Sequence, residues 1–319
     1  MKAIVCAKYG PPEVLQVQAV EKPSPKPNEV SIKIMATAVT ASDCIVRSFD
    51  LPRWQPMGLM MGLAVGFTKP RSRILGMVMA GEVESIGRDV KRFKIGDPVY
   101  GYTIRPALPM RFGAYAEYIC LSENSVIAPK PSNLTYEEAA AIPYGGMIAL
   151  HFLKKGHIQS GQKILIYGAS GAIGTCAVQL AKHFGAEVTG VCSTTNLELV
   201  RSLGAHKVID YTQEDFTQGG EFYDFILDAV GKKKSRRSAS KSHCEKVLTP
   251  HGKYLSVDDG APKMEIQALL LLKELIEAGS LRPVIDRCYP LEQIVEAHRY
   301  VDTGHKKGNV VITVEHDQG

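Results

Sequence analysis

No uncharged apolar run in this chain is longer than eleven residues, the limit being Met57–Phe67. A membrane-spanning helix needs roughly 18, so integral membrane insertion is not expected. Cysteines are sparse: seven (Cys6, Cys44, Cys120, Cys176, Cys192, Cys244 and Cys288), never closer than 16 residues. Without a CxxC pair, a zinc ribbon or a thioredoxin-like site has no support. The N-terminus, MKAIVCAKYG, holds one Lys and five apolar residues before the next charge. That is too short for a secretory core and reads as a first β-strand. The odd cysteine count then points to reduced thiols and a cytoplasmic protein. An aromatic-free run, KKKSRRSASK (232–241), carries six positive charges, and removing them from the net +5 leaves −1. The basic character is local, so no nucleic-acid partner is expected.

What remains is an ordinary globular composition, 45% hydrophobic over 319 residues, enough for about two domains. Residues 1–127 read as β-rich. Val30, Ile32 and Ile34 alternate with polar residues, and MAGEVESIG (79–87), DPVYGY (97–102) and GAYAEYICL (113–121) add short strands between Gly and Pro turns. From about residue 128 the pattern changes. SNLTYEEAAAI opens a capped helix. The strand KILIY (163–167) then leads to a helix over about 172–184, followed by EVTGVC (187–192), a helix over 197–203, KVID (207–210), YDFILDAV (223–230) and KYLSV (253–257). Such alternation predicts βαβ units around a doubly wound parallel sheet. The helix IQALLLLKELIEAG (266–279) ends in glycine, and the tail closes on the strand NVVITV (309–314).

Between KILIY and the next helix lies Gly168-Ala169-Ser170-Gly171-Ala172-Ile173-Gly174, a variant dinucleotide fingerprint read as A-x-G-x-x-G. Gly171 lets backbone approach a pyrophosphate, Gly174 lets helix and strand close up, and the helix N-terminus offers free N–H groups. The following strand runs into Ser193-Thr194-Thr195-Asn196 with no acid. A carboxylate there would bind a ribose 2′-hydroxyl and repel a 2′-phosphate. Its absence favours NADP(H), although the usual Arg or Lys is missing from this turn too.

These segments resemble the medium-chain dehydrogenase/reductase superfamily, and within it the zinc-independent quinone oxidoreductase branch. The resemblance rests on GEVESIGRDVKRFKIGDPVYG (81–101), YGASGAIGTCAVQLAKHFGAEVTGVCSTTN (167–196), LGAHKVIDY (203–211), FILDAVG (225–231) and residues 283–312. It implies a GroES-like catalytic domain from 1–127 and 285–319, a Rossmann dinucleotide-binding domain over 128–284, and hydride transfer from NADPH. Carried over by position, the pyrophosphate falls at Ser170, Gly171, Ala172, Ile173 and Gly174, and the 2′-phosphate near Ser193, Thr194, Asn196 and Tyr211. The nicotinamide end falls near Ala229, Val230 and Val257, with Asn309 from the C-terminal return.

The zinc alcohol dehydrogenases of the superfamily place Cys where this chain has Thr40, and His-Glu where it has Met77-Val78. No catalytic metal is therefore expected. Without a Lewis acid a plain ketone is a poor hydride acceptor, so quinones rank first and enones second. The family's usual Asn is Thr40 here, with its Asp partner retained as Asp43. These two are the candidate catalytic residues, and Asp43 either orients substrate or holds its lobe. Ile148-Ala149 stands where the family often shows Thr-Ala. Tyr144, Trp54 and Phe67 are the candidate substrate contacts.

The Met-rich segment 51–73 reads as a flap over an apolar substrate or as a core-packing helix, with membrane-surface contact a third option. The short 257–266 link lacks a strand and helix usual in the family. The ordinary edge-built dimer is therefore expected to be weakened or replaced. Two functions stand: a reductase of a small-molecule acceptor (quinone or enone), or an NADPH-binding sensor or scaffold with little turnover.

Overall fold

A computed structural model describes residues 1–49, 56–104, 110–231 and 240–316. Trp54 and residues 232–239 of the basic run lie outside the described residues. The chain divides into two compact units, one from Met1–Pro143 with Ile285–Gly319 and one over Tyr144–Val284.

In chain order, the first unit begins with β1 (Lys2–Cys6), β2 (Leu15–Ala19), β3 (Glu29–Val39), α1 (Ala41–Ser48) and α2 (Pro56–Val65). It continues through β4 (Val78–Ile86), β5 (Pro98–Tyr102), β6 (Tyr118–Ser122), β7 (Ile127–Pro129) and α3 (Tyr136–Ala140). Then follow α4 (Pro143–Gly156), β8 (Lys163–Tyr167), α5 (Ala172–His183), β9 (Glu187–Cys192), α6 (Leu197–Ser202) and β10 (Lys207–Asp210). After them come β11 (Tyr223–Asp228), α7 (Lys241–Cys244), β12 (Leu248–Ser256) and α8 (Ile266–Glu277). The chain returns to the first unit with β13 (Ile285–Pro290), α9 (Ile294–Asp302) and β14 (Asn309–Thr313).

β3 is the spine of the first unit. Val30, Ile32 and Ile34 are buried on it, and it pairs antiparallel with β14, β4 and β6. The sheet order is β13-β14-β3-β4-β5-β7, with β6 joined to β3. α3 packs on β3 and β4. Its start is held by a capping box, in which the Thr135 hydroxyl accepts the Glu138 amide and the Glu138 carboxylate accepts the Thr135 amide.

In the second unit the strands are parallel and ordered β10-β9-β8-β11-β12. Counted from the first strand of this unit, that is 3-2-1-4-5, the order of a doubly wound nucleotide-binding sheet. The β-branched and Leu residues of β8 and β11 are buried, as strands covered on both faces require. Leu165, Tyr167, Ile226, Phe216 and Val247 share one core cluster. β12 ends the sheet, and the nine residues from 257 to 265 that lead to α8 contain no strand.

Removing the α3 cap leaves amides in the first turn without partners. Thr135→Ala should cost about 1 kcal/mol of stability, read as a lower urea midpoint with an unchanged slope.

Candidate functional site

The turn after β8 is built by close approach. Gly168 has φ +79°, which favours glycine, and the amides of Gly168 and Ala169 both donate to the Val191 carbonyl on β9. A Cβ on residue 174 would fall 2.1 Å from the Gly168 carbonyl oxygen, so only glycine lets α5 start this near the strand. A Cβ on residue 171 would meet nothing closer than 3.5 Å. No side chain caps α5, and the amides of Ala172, Ile173 and Gly174 have no partner among the described residues. Gly145 on α4 lies so close to Ala172 that a Cβ would fall 2.2 Å from its carbonyl oxygen. This brings the first turn of α4, with the partly buried Tyr144, against the start of α5.

At the end of β9, the buried Asn196 side chain donates through Nδ2 to Ser170 Oγ (3.2 Å) and Ser193 Oγ (3.0 Å). Both hydroxyls act as acceptors there, which leaves their protons to point elsewhere. Asn196 Oδ1 is buried with no hydrogen-bond partner, an arrangement that costs free energy until something donates to it. Open amides at a helix start, an open glycine and an orphaned amide oxygen suit a dinucleotide carrying phosphates and ribose hydroxyls.

Thr194 and Tyr211 sit differently. The Thr194 hydroxyl donates to Asp210 Oδ2 at the end of β10. Asp210 also takes the Thr212 amide and hydroxyl. The Thr194 hydroxyl, followed by Thr212, holds the Asp210 carboxyl below its ordinary range. An acid therefore does stand beside this turn, reached across the sheet by the pairing of Asp210 with Cys192 and not along the chain. Tyr211 is 46% exposed, its ring 6.0 Å from Tyr167.

The turn after β11 is organised by a buried acid that sequence reasoning missed. Asp228 accepts the Val230 and Gly231 amides on Oδ1, and the Tyr254 and Ser256 hydroxyls on Oδ2. The Ala229 amide donates to the Tyr167 carbonyl and the Val257 amide to the Asp228 carbonyl. Ala229, Val230 and Val257 thus lie at the same ends of β8, β11 and β12. A Cβ on residue 168 would fall 2.4 Å from Val230 Cγ2, so Val230 borders the glycine turn. Asn309 belongs to the other unit and is buried at the start of β14.

In the first unit Thr40 caps α1. Its hydroxyl donates to Asp43 Oδ2 (2.6 Å), its amide donates to the same oxygen (2.9 Å), and the Asp43 amide returns to Thr40 Oγ1 (3.1 Å). Thr40 Oγ1 lies 3.9 Å from the Met77 thioether, which is also 3.8 Å from the Tyr102 hydroxyl. This donor set does not fit a metal, and among the described residues no three His, Cys, Asp or Glu could share one.

Asp43 is fully buried, and burial pushes its carboxyl up to about 6 against the Thr40 hydrogen bonds. Its Oδ1 and the Tyr115 hydroxyl are buried near each other, outside good hydrogen-bond geometry but close enough to lower the Asp43 carboxyl and raise the Tyr115 phenol, and His298 Nε2 is buried without a hydrogen-bond partner. Arg47 Nη1 approaches His298 Nδ1 at 3.3 Å. Arginine only donates, so Nδ1 accepts and the ring proton sits on Nε2. Burial, then Arg47, pushes His298 down to about 3. Phe67 is half-buried, its ring 2.2 Å from where a Gly62 Cβ would stand.

The comparisons with known proteins agree with this architecture. Residues 26–132 match the alcohol dehydrogenase GroES-like domain, and residues 172–293 match the family described as zinc-binding dehydrogenase. The 2-methylene-furan-3-one reductase of Solanum lycopersicum is 35% identical over 98% of this chain and 79% of its own length. The NADPH-dependent alkenal/one oxidoreductase of Arabidopsis thaliana chloroplasts is 32% identical with the same coverage. A quinone oxidoreductase from Coxiella burnetii, 29% identical, superposes with a TM-score of 0.81 over 99% of both chains. The chain belongs to the medium-chain dehydrogenase/reductase superfamily. It is an NAD(P)H-dependent oxidoreductase.

The raised Asp43 carboxyl has a signed consequence. The folded protein binds this proton more tightly than the unfolded chain, so stability falls as pH rises from about 4 to about 6 and is level above. Asp43→Asn removes that titration. Urea unfolding across this range should show the variant gaining on the wild type by about 1–3 kcal/mol between pH 4 and 7. A pH-independent difference would mean that Asp43 titrates normally.

Proposed function

We propose that this protein reduces a quinone or an activated alkene with NADPH, and that no metal takes part. The observation that carries the reading is the Ser170–Ser193–Asn196 cluster, with two hydroxyl protons left free and an amide oxygen left without a donor. Free hydroxyl protons suit a 2′-phosphate, and the orphaned oxygen suits a ribose hydroxyl. The Asp210 charge is turned toward Thr194 and Thr212, which leaves Ser193 and Asn196 to face the cofactor.

Bound there, NADPH would supply a hydride to the acceptor, whose balancing proton would come from solvent. The amides of Ala172–Gly174 and the positive end of α5 would hold its pyrophosphate. Asp228 fixes the Ala229–Gly231 turn through its four donors. Thr40 and Asp43 hold the start of α1. Metal independence is supported by Thr40 and Met77 themselves, a hydroxyl and a thioether in place of the thiolate, imidazole or carboxylate donors of a zinc site. With no Lewis acid, an acceptor must be electrophilic in itself, as quinones and enones are. The activities for which the relatives are named, on a methylene-furanone and on alkenals and alkenones, point the same way. The seven cysteines are unpaired, six of them buried, which supports a reducing compartment such as the cytoplasm.

The test is NADPH consumption with a reactive ortho-quinone, with NADH in parallel. Saturable, NADPH-selective loss is expected. Ser193→Asp should raise KM for NADPH about tenfold or more through like-charge repulsion while moving NADH little. Tight NADPH binding without turnover on any quinone or enone would replace the reductase reading with a sensor or scaffold.

A further inference from the structure

α2 is out of place as a surface helix. From Pro56 to Val65 it has no charged or hydrogen-bonding side chain, and one of its sides faces solvent. Leu59 is 50% exposed, Met60 66% and Leu63 50%. At about 100° per residue these three share one side of the helix, spanning about 100° of arc. The opposite side is buried through Gly58, Gly62 and Val65. The helix cannot roll to hide the exposed face, because the Phe67 ring fills the space where a Gly62 Cβ would stand. Its C-terminal turn is also tied down: the Ala64 carbonyl takes the Met110 amide, and the Val65 carbonyl takes the Arg71 amide and the Tyr9 hydroxyl.

A basic groove begins where that turn ends. Arg71 reaches back to the Leu63 carbonyl through Nη1 (3.2 Å). Arg71, Arg73 and Arg111 line a groove of about 580 Å³, with Lys26, Glu21 and Glu29 among its other lining residues. Among the described residues no carboxylate pairs with Arg71, Arg73 or Arg111. An exposed apolar helix face therefore adjoins a groove with an excess of unpaired positive charge. An isolated apolar patch would fit many occupants, and an isolated basic groove any anion. The pair together matches a surface that is apolar at one depth and anionic at the next.

We propose that this face docks on an anionic lipid bilayer, with Leu59, Met60 and Leu63 set into the interface and the three arginines against lipid phosphates. α2 has ten residues, about 15 Å, which is enough to lie in a headgroup layer and not to cross a bilayer. Among the described residues no helix is long and apolar enough to cross one. The contact does not depend on the identity of the acceptor.

Co-sedimentation of the full chain with vesicles tests this. Vesicles of phosphatidylcholine with about one-third phosphatidylglycerol should carry the protein down. Phosphatidylcholine alone should not, and about 0.5 M NaCl should release most of the bound protein. The double variants Met60→Glu/Leu63→Glu and Arg73→Glu/Arg111→Glu should each lower the bound fraction about tenfold, with an unchanged thermal midpoint showing that both still fold. Failure to bind anionic vesicles overturns the proposal. So does binding that the helix variant leaves intact and inorganic phosphate abolishes, which would make the groove a site for a soluble anion. A dimer seen by light scattering, lost in the helix variant and unaccompanied by vesicle binding, would assign the face to a second copy.

Discussion

α5 begins within contact distance of the end of β8, and the space between them admits no side chain at residue 174. That approach carries the rest of the nucleotide-binding unit. It sets three open amides at the carboxyl ends of the parallel strands. It also lets the Val191 carbonyl on β9 take both the Gly168 and Ala169 amides, which locks the turn to the neighbouring strand. With β9 fixed, Asn196 falls between Ser170 and Ser193. A larger residue at 174 would move the helix start, and the amides, the two serines and Asn196 would lose their common focus. The site is thus a consequence of one close contact, reinforced by hydrogen bonds that cross between strands.

Two buried aspartates show how differently a fold can treat the same group. Asp228 receives two donors on each carboxylate oxygen and serves as the latch at the ends of β11 and β12. Asp43 receives both Thr40 donors on one oxygen while the other is buried near Tyr115 without a well-formed hydrogen bond. Burial then favours its neutral form. The nearby Tyr115 hydroxyl and His298 Nε2 are likewise buried without well-formed hydrogen bonds. The first unit therefore keeps an incompletely satisfied polar cluster of Asp43, Tyr115 and His298, whereas the polar groups at the ends of β11 and β12 are satisfied.

The elements with strong local signals were legible in the sequence. The helix expected over about 172–184 is Ala172–His183, and the strands KILIY and EVTGVC are β8 and β9. Hydrophobic runs bounded by glycine leave little choice of conformation. The glycine spacing likewise marked the tight turn between β8 and α5, where Gly168 and Gly174 each answer a steric demand of their own. The segment 51–73 was not legible in the same way. An apolar helix without charge carries no pattern to say which side turns inward, and the Gly58/Gly62 side decided that by admitting Phe67.

What the sequence by itself determined is the order of elements, the glycine turn after β8 and the family, because these rest on spacing between near neighbours in the chain. What only the tertiary structure decided is the company each polar group keeps. Asp210 meets Thr194 across a sheet, Asp228 meets Ser256 from the next strand, and Arg47 meets His298 from 251 residues away. Such meetings follow from strand order and helix packing. No local signal encodes them, since a hydroxyl or carboxylate has the same sequence neighbours whichever strand is laid beside it.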